Sequence, residues 1–206
     1  NPTHFHTSIG SDMGLSSVLM LKRPDWYGVE ASREEKPANG WLEFSGGDQS
    51  PLSISQTRVD AQVGEFYVFP YTLLHTVYPF NSTDEVRRTM SYNCDLIRKR
   101  KKRREMAEET EHEVTMMPYM LGSMILHFKL PMVVIDAINK AYDEQVKDLQ
   151  PWNKNLVGKI EEENLVNSLI TDEMKVLFTG CFQQYMKSIQ KPWWNVKLQQ
   201  VWINEM

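Results

Sequence analysis

The spacing of apolar residues changes along the chain. Up to about residue 97 the apolar runs are short and broken by Gly, Pro, Asn and Asp, which predicts strands joined by turns. "LSSVLMLKRP" (15–24) is mostly apolar and closes on a proline, the pattern of a buried strand. "NGWLEF" (39–44) places an Asn-Gly turn ahead of another apolar run. "GEFYVFPYTLLHTVYPF" (64–80) is rich in aromatic and β-branched residues and carries prolines, so it cannot be one helix. "RRTMSYNCDL" (87–96) alternates. As a strand it sets Arg87, Thr89, Ser91 and Asn93 on one face and Arg88, Met90, Tyr92 and Cys94 on the other.

After Pro131 the period lengthens. Val134, Ile135, Ile138, Tyr142, Val146 and Leu149 fall at helical spacing. Thr171 is placed to cap a second helix, with Asp172 and Glu173 in its first turn and Met174, Leu177, Phe178, Cys181, Tyr185 and Ile189 as its apolar stripe. "VKLQQVWINEM" (196–206) returns to strand character. The pattern predicts an α+β chain: a strand-rich half at 1–97, a charged connector at 98–123, and a helical half at 124–206 ending in a strand.

Charge sharpens the middle of this layout. Residues 98–104, "RKRKKRR", are all basic; without them 16 basic residues face 27 acidic ones, −11 in place of the net −4. Glu105, Glu108, Glu109, Glu111 and Glu113 follow directly. Local charge pairing on a solvated segment accounts for the run. A nucleic-acid contact gains little support, because no aromatic residues interleave the charges. Apolar content is 41% and charged content 24%, ordinary for a globular chain. No apolar run is long enough to cross a bilayer as a helix and no signal peptide is visible, so no membrane partner is expected. The only cysteines, Cys94 and Cys181, predict a reducing, cytoplasmic location and exclude a zinc ribbon.

Candidate chemistry lies in the strand-rich half. His4 and His6, in "NPTHFHTS", are at i and i+2, which on a strand puts both imidazoles on one face within reach of one metal ion. A pair of surface histidines would look the same. His75 lies in an apolar, strand-like setting, where it is either a third ligand or a hydrogen-bonded core residue. Arg87 follows twelve residues later. An arginine pointing into a barrel needs an anion, and a carboxylate held bidentately would supply one; an exposed arginine on a sheet edge is the other reading.

The order of these stretches — HxH, "LSSVLMLKRP", "GEFYVFPY", "LLHTVYPF", "RRTMSYN" — resembles the iron(II)- and 2-oxoglutarate-dependent oxygenases, especially their phage-encoded and marine bacterial branch. The resemblance implies a double-stranded β-helix (jelly-roll) core with flanking helices. It implies Fe(II) held by His4, His6 and His75, and 2-oxoglutarate bound through Arg87 with Thr89, Ser91 and Tyr67 nearby. It implies a dioxygenase that takes O2, hydroxylates an unidentified primary substrate and releases succinate and CO2. For a phage-encoded protein the location would be the host cytoplasm. Phe66, Tyr67, Phe69 and Tyr71 are candidate cavity residues, and either Tyr67 or Tyr92 is a candidate to hydrogen-bond 2-oxoglutarate, with core packing the other reading of both.

The chain departs from the family at His6, where most members carry a carboxylate; Asp12 is the other candidate for the third ligand. In these enzymes the helical part comes first, so the halves stand here in circularly permuted order, with Met124 as the natural beginning. A permutant, a piece of a tandem array and a dimer whose ends pair between chains all fit that order. Other functional classes are a non-catalytic jelly-roll binding or structural protein, and a three-histidine cupin-like metalloenzyme that does not use 2-oxoglutarate.

Overall fold

Alternation along three central strands sorts side chains into two layers, and this decides the architecture. The computed structural model describes residues 13–28, 38–46, 55–80, 83–98, 117–121, 123–151, 162–192 and 194–206. The strands are β1 (Gly14–Lys22), β2 (Leu42–Ser45), β3 (Gln56–Val59), β4 (Glu65–Pro70), β5 (Leu74–Val77), β6 (Arg88–Arg98), β7 (Met117–Leu121), β8 (Ser123–Lys129), β9 (Gln150–Pro151), β10 (Glu162–Leu165) and β11 (Trp194–Glu205). The helices are α1 (Met132–Gln145) and α2 (Asp172–Ser188). An eight-stranded sheet runs β7-β8-β4-β1-β6-β11-β10-β9 and a three-stranded sheet runs β3-β2-β5; every described pairing is antiparallel. The fold is α+β and mostly antiparallel β.

One face of the large sheet carries the helices. Leu15, Leu19, Phe66, Val68, Met90, Tyr92, Leu126 and Phe128 pack there against Ile135, Ile138 and Tyr142 of α1 and Phe178, Phe182 and Tyr185 of α2. Phe178 meets Phe66 and Tyr92 edge-on at 5.3 and 5.4 Å, and each such buried aromatic contributes roughly 1.5–3 kcal/mol. The helical stripes expected from the sequence are core. Thr171 caps α2 by accepting a hydrogen bond from the Met174 amide at 3.3 Å.

The other face looks at the small sheet. Val18, Met20, Tyr67, Phe69 and Ile125 meet Leu42, Phe44 and Leu73 across the gap. Phe44 touches Tyr67 and Phe69 at ring-centroid distances of 6.1 and 4.9 Å. The chain alternates between layers as it goes: β1 large, β2 and β3 small, β4 large, β5 small, β6 large.

The sequence pattern missed some strands. Met117–Leu121, inside the expected connector 98–123, pairs with β8 as an edge strand. The expected helical half also holds β8, β9 and β10. In β8 both faces are buried: Leu126 and Phe128 lie under the helices, while Ile125 joins the inter-sheet cluster. Such a strand reads as a continuous apolar run with no period of two. Among the described residues no helix is long and apolar enough to cross a membrane.

Candidate anion and metal site

Strand β6 is apolar on one face and polar on the other, and the polar face is buried. Met90, Tyr92 and Cys94 join the helix-side core, whereas Arg87, Thr89, Ser91, Asn93 and Asp95 face the space between the sheets at 1–9% exposure. Arg87 continues the strand. Its amide donates to the Met206 carbonyl at 3.0 Å, and its own carbonyl accepts from the Met206 amide at 3.1 Å. The ladder thereby fixes the direction of the Arg87 side chain.

The two adjacent arginines are both buried and have opposite fates. Arg88 turns to the helix side, with Nε donating to Glu205 at 2.5 Å, Nη1 to Asn139 at 2.9 Å and Nη2 to Asp143 at 2.6 Å. Its guanidinium lies 4.5 Å from the centroid of the Tyr142 ring. Arg87 turns to the inter-sheet side, where Nε and Nη2 have no hydrogen-bond partner among the described residues. Burial pulls its pKa down, and Tyr27 nearby partly offsets this. An uncompensated buried charge costs on the order of several kcal/mol. The Tyr27 hydroxyl is buried and approaches the Arg87 guanidinium, and Asn204 Oδ1 on β11, the strand neighbour of Thr89, is buried with no hydrogen-bond partner among the described residues.

Further along β6, Ser16 Oγ donates to Asn93 Oδ1 at 2.9 Å. The Asp95 carboxylate accepts from Gln199 Nε2 at 2.7 Å and from the Tyr71 hydroxyl at 3.4 Å. These groups are satisfied. The contrast marks the Arg87 end of the stripe as the part organised for something else.

His75 reaches the same space from β5, opposite Phe44 on β2. Its ring is buried against Phe69 at 4.8 Å. Nδ1 lies 3.1 Å from the Leu73 carbonyl. A carbonyl only accepts, so Nδ1 carries the proton and the lone pair sits on Nε2, the form in which histidine ligates a metal.

The other expected site residues divide clearly. Thr89 and Ser91 share the Arg87 face. Tyr67 lies on the inter-sheet face, where its hydroxyl donates to Glu65 at 2.7 Å and its ring stacks on His127 at 4.7 Å. Phe69 and Tyr71 lie on the inter-sheet side; Phe66 does not, because the pleat turns it under α2. Tyr92 likewise faces the helices, which removes it as a partner for 2-oxoglutarate. His4, His6 and Asp12 lie outside the described residues, as does the basic run after Arg98. Among the described residues no group of three or more His, Cys, Asp or Glu side chains could hold a metal ion.

Sequence reasoning missed Tyr27 and Asn204. Tyr27 lies in "RPDWYG" (23–28), which has no period, and Asn204 is one of many polar residues in a half-polar strand. No protein-family model matches the chain, and neither a curated protein nor a solved structure matches it.

Proposed function

We propose that the chain is an iron(II)- and 2-oxoglutarate-dependent oxygenase on a double-stranded β-helix core. The observation that carries this reading is Arg87: a fully buried guanidinium with orphaned Nε and Nη2, facing the space into which His75 projects. A carboxylate is the ligand that repairs such a site, because two parallel N–H···O bonds and one opposite charge answer both defects at once. The alternation of β1 to β6 between sheets supports the double-stranded β-helix, as does β11 lying beside β6.

In this reading His75, with His4 and His6, holds the metal. Arg87 anchors the distal carboxylate of 2-oxoglutarate, while Thr89 and Ser91 line the wall beneath it. Bound Fe(II) would supply O2 activation coupled to oxidative decarboxylation. The chain's part is to orient the co-substrate along β6 and to keep water out. The Phe44, Phe69 and Tyr67 cluster serves that second role. The metal, the co-substrate, the hydroxylase activity and the three-histidine ligand set all belong to this proposal, and the primary substrate is left open within it.

Anaerobic titration with Fe(II) and 2-oxoglutarate tests it. The expected result is a weak visible charge-transfer band, lost in His75→Ala and shifted to much higher 2-oxoglutarate in Arg87→Met. A folded protein with no band would contradict the oxygenase reading. Retained carboxylate binding in that case would favour a non-catalytic sandwich.

A further inference from the structure

A line of aromatic rings leads away from His75. Its imidazole lies 4.8 Å from the Phe69 ring, Phe69 lies 4.9 Å from Phe44, and Phe44 lies 6.1 Å from Tyr67, centroid to centroid. All four side chains are buried. The fold builds this line from both layers. Phe69 and Tyr67 share the inter-sheet face of β4 by the period of two, while Phe44 and His75 are register partners on β2 and β5. The two sheets thus interleave their rings in one row.

The row ends on a phenol that has somewhere to put its proton. The Tyr67 hydroxyl donates to Glu65 Oε2 at 2.7 Å, and the Gln62 amide donates to the same oxygen at 2.8 Å. His127, the register partner of Tyr67 on β8, stacks parallel on its ring at 4.7 Å. His127 Nε2 is buried, has no hydrogen-bond partner among the described residues, and stands 3.4 Å from Glu65 Oε1. Burial holds the imidazole pKa below its ordinary value, so the ring is neutral at pH 7. Lys129, the other charged group beside it, turns to the Val63 carbonyl at 2.6 Å. The Glu65–His127 pair therefore lacks one proton. Supplying it would turn an unmet contact into an ion pair.

We propose that Tyr67 is a redox-active tyrosine that gives one electron to a strongly oxidising metal centre held by His75 when no primary substrate is there to be oxidised. This rests on the reading that His75 ligates such a metal. In the step the phenol O–H bond breaks. The electron leaves along Phe44, Phe69 and His75 and reduces the metal centre by one electron. The proton crosses the 2.7 Å hydrogen bond to Glu65 and stays on the Glu65–His127 pair. Tyr67 is left as a neutral phenoxyl radical. Losing the electron alone would leave an uncompensated cation in an apolar cluster, and the waiting acceptor removes that penalty. The two phenylalanines are too hard to oxidise to hold the charge; they shorten the gap across which it tunnels. A one-electron reductant in solvent, such as ascorbate, then restores the phenol, with the proton returning from the pair.

Freeze-quench EPR reads the radical directly, in protein loaded with Fe(II) and 2-oxoglutarate and mixed with O2 without a primary substrate. Wild type should give a phenoxyl signal that Tyr67→Phe lacks. Glu65→Gln keeps the shape and a hydrogen-bond acceptor but takes no proton. Its signal should form about 10-fold more slowly, the scale of one hydrogen bond to a charged group. A second readout needs no metal. An ultraviolet flash that ionises tyrosines in metal-free protein should give wild type an infrared difference band of a newly protonated carboxyl or imidazole, absent from both variants. An equal radical in Tyr67→Phe, or a wild-type rate and flash band in Glu65→Gln, would overturn the proposal. Wild type that forms the anaerobic charge-transfer band with Fe(II) and 2-oxoglutarate yet gives no radical would overturn this proposal alone. Wild type without that band would overturn the reading beneath it as well.

Discussion

Arg87 and Arg88 are neighbours in sequence, alike in chemistry and both buried, yet the pleat of one strand sends them to different tasks. Arg88 meets Glu205, Asp143, Asn139 and the Tyr142 ring, so its charge and its donors are answered within the chain. Arg87 faces the inter-sheet space with two donors unanswered. The comparison teaches how to read buried arginines: burial alone separates neither role, and the state of the donors does. A satisfied guanidinium ties α1 to the sheet. An orphaned one raises the free energy of the fold unless a ligand answers its donors.

The largest expected effect is on Arg88. Replacing it with Met strands the Glu205 carboxylate, 16% exposed on its side chain, and removes the link from β6 to α1. Breaking a buried pair of this kind costs about 3–5 kcal/mol, to be read as a lowered midpoint in urea unfolding. The affinity of the surviving folded protein for 2-oxoglutarate should stay near wild type. A variant of unchanged stability would dissolve the contrast between the two arginines.

A smaller change on the helix side sharpens the same point. Thr171→Ala removes the hydroxyl that accepts from the Met174 amide and should cost about 1 kcal/mol. Ligand affinity should not move, because α2 lies beneath the far face of the sheet. Coupled loss of stability and binding would mean that the two faces are less independent than the packing implies.

The smallest effect is a pH dependence on the inter-sheet face. Burial holds the His127 pKa below its ordinary value; Glu65, whose Oε1 is 3.4 Å from Nε2, partly offsets this, and Lys129 adds to the lowering. Lys129 turns its ammonium to the Val63 carbonyl at 2.6 Å, and the Tyr67 hydroxyl donates to Glu65. The folded state therefore binds fewer protons than the unfolded state just below the ordinary histidine pKa of about 6.5. Stability should fall as pH drops from that value through the lowered folded one. His127→Leu should flatten this slope in unfolding curves measured between pH 7 and 5, and an unchanged slope would assign it elsewhere.

Much of this contrast was legible in "RRTMSYNCDL". Its alternation predicts which arginine shares a face with Thr89 and Ser91, and the ladder to β11 agrees. The helices were legible because their stripes face one layer. The strands β7 to β10 were not: β8 is buried on both faces and shows no period, and β7 follows directly on a run dominated by charge. Tyr27 was hidden for another reason. It lies in "RPDWYG" (23–28), which carries no period, and the Asn-Gly turn that packs against its ring reads in the sequence only as a turn. His75 was picked from its apolar setting, and the hydrogen bond to Leu73 then fixed the tautomer.

The central claim is that the Arg87 donors wait for a carboxylate. The most direct measurement is the thermal midpoint of Arg87→Met and wild type, each with and without saturating 2-oxoglutarate, in the presence of Fe(II) and without O2. The account predicts that Arg87→Met is at least as stable as wild type when ligand-free, because an uncompensated buried charge is gone. It also predicts that 2-oxoglutarate, at the concentration that saturates wild type, raises the wild-type midpoint and leaves the variant's nearly unchanged. A ligand-free variant that unfolds well below wild type, with 2-oxoglutarate stabilising both equally, would show Arg87 to be a structural arginine like its neighbour and would contradict the account.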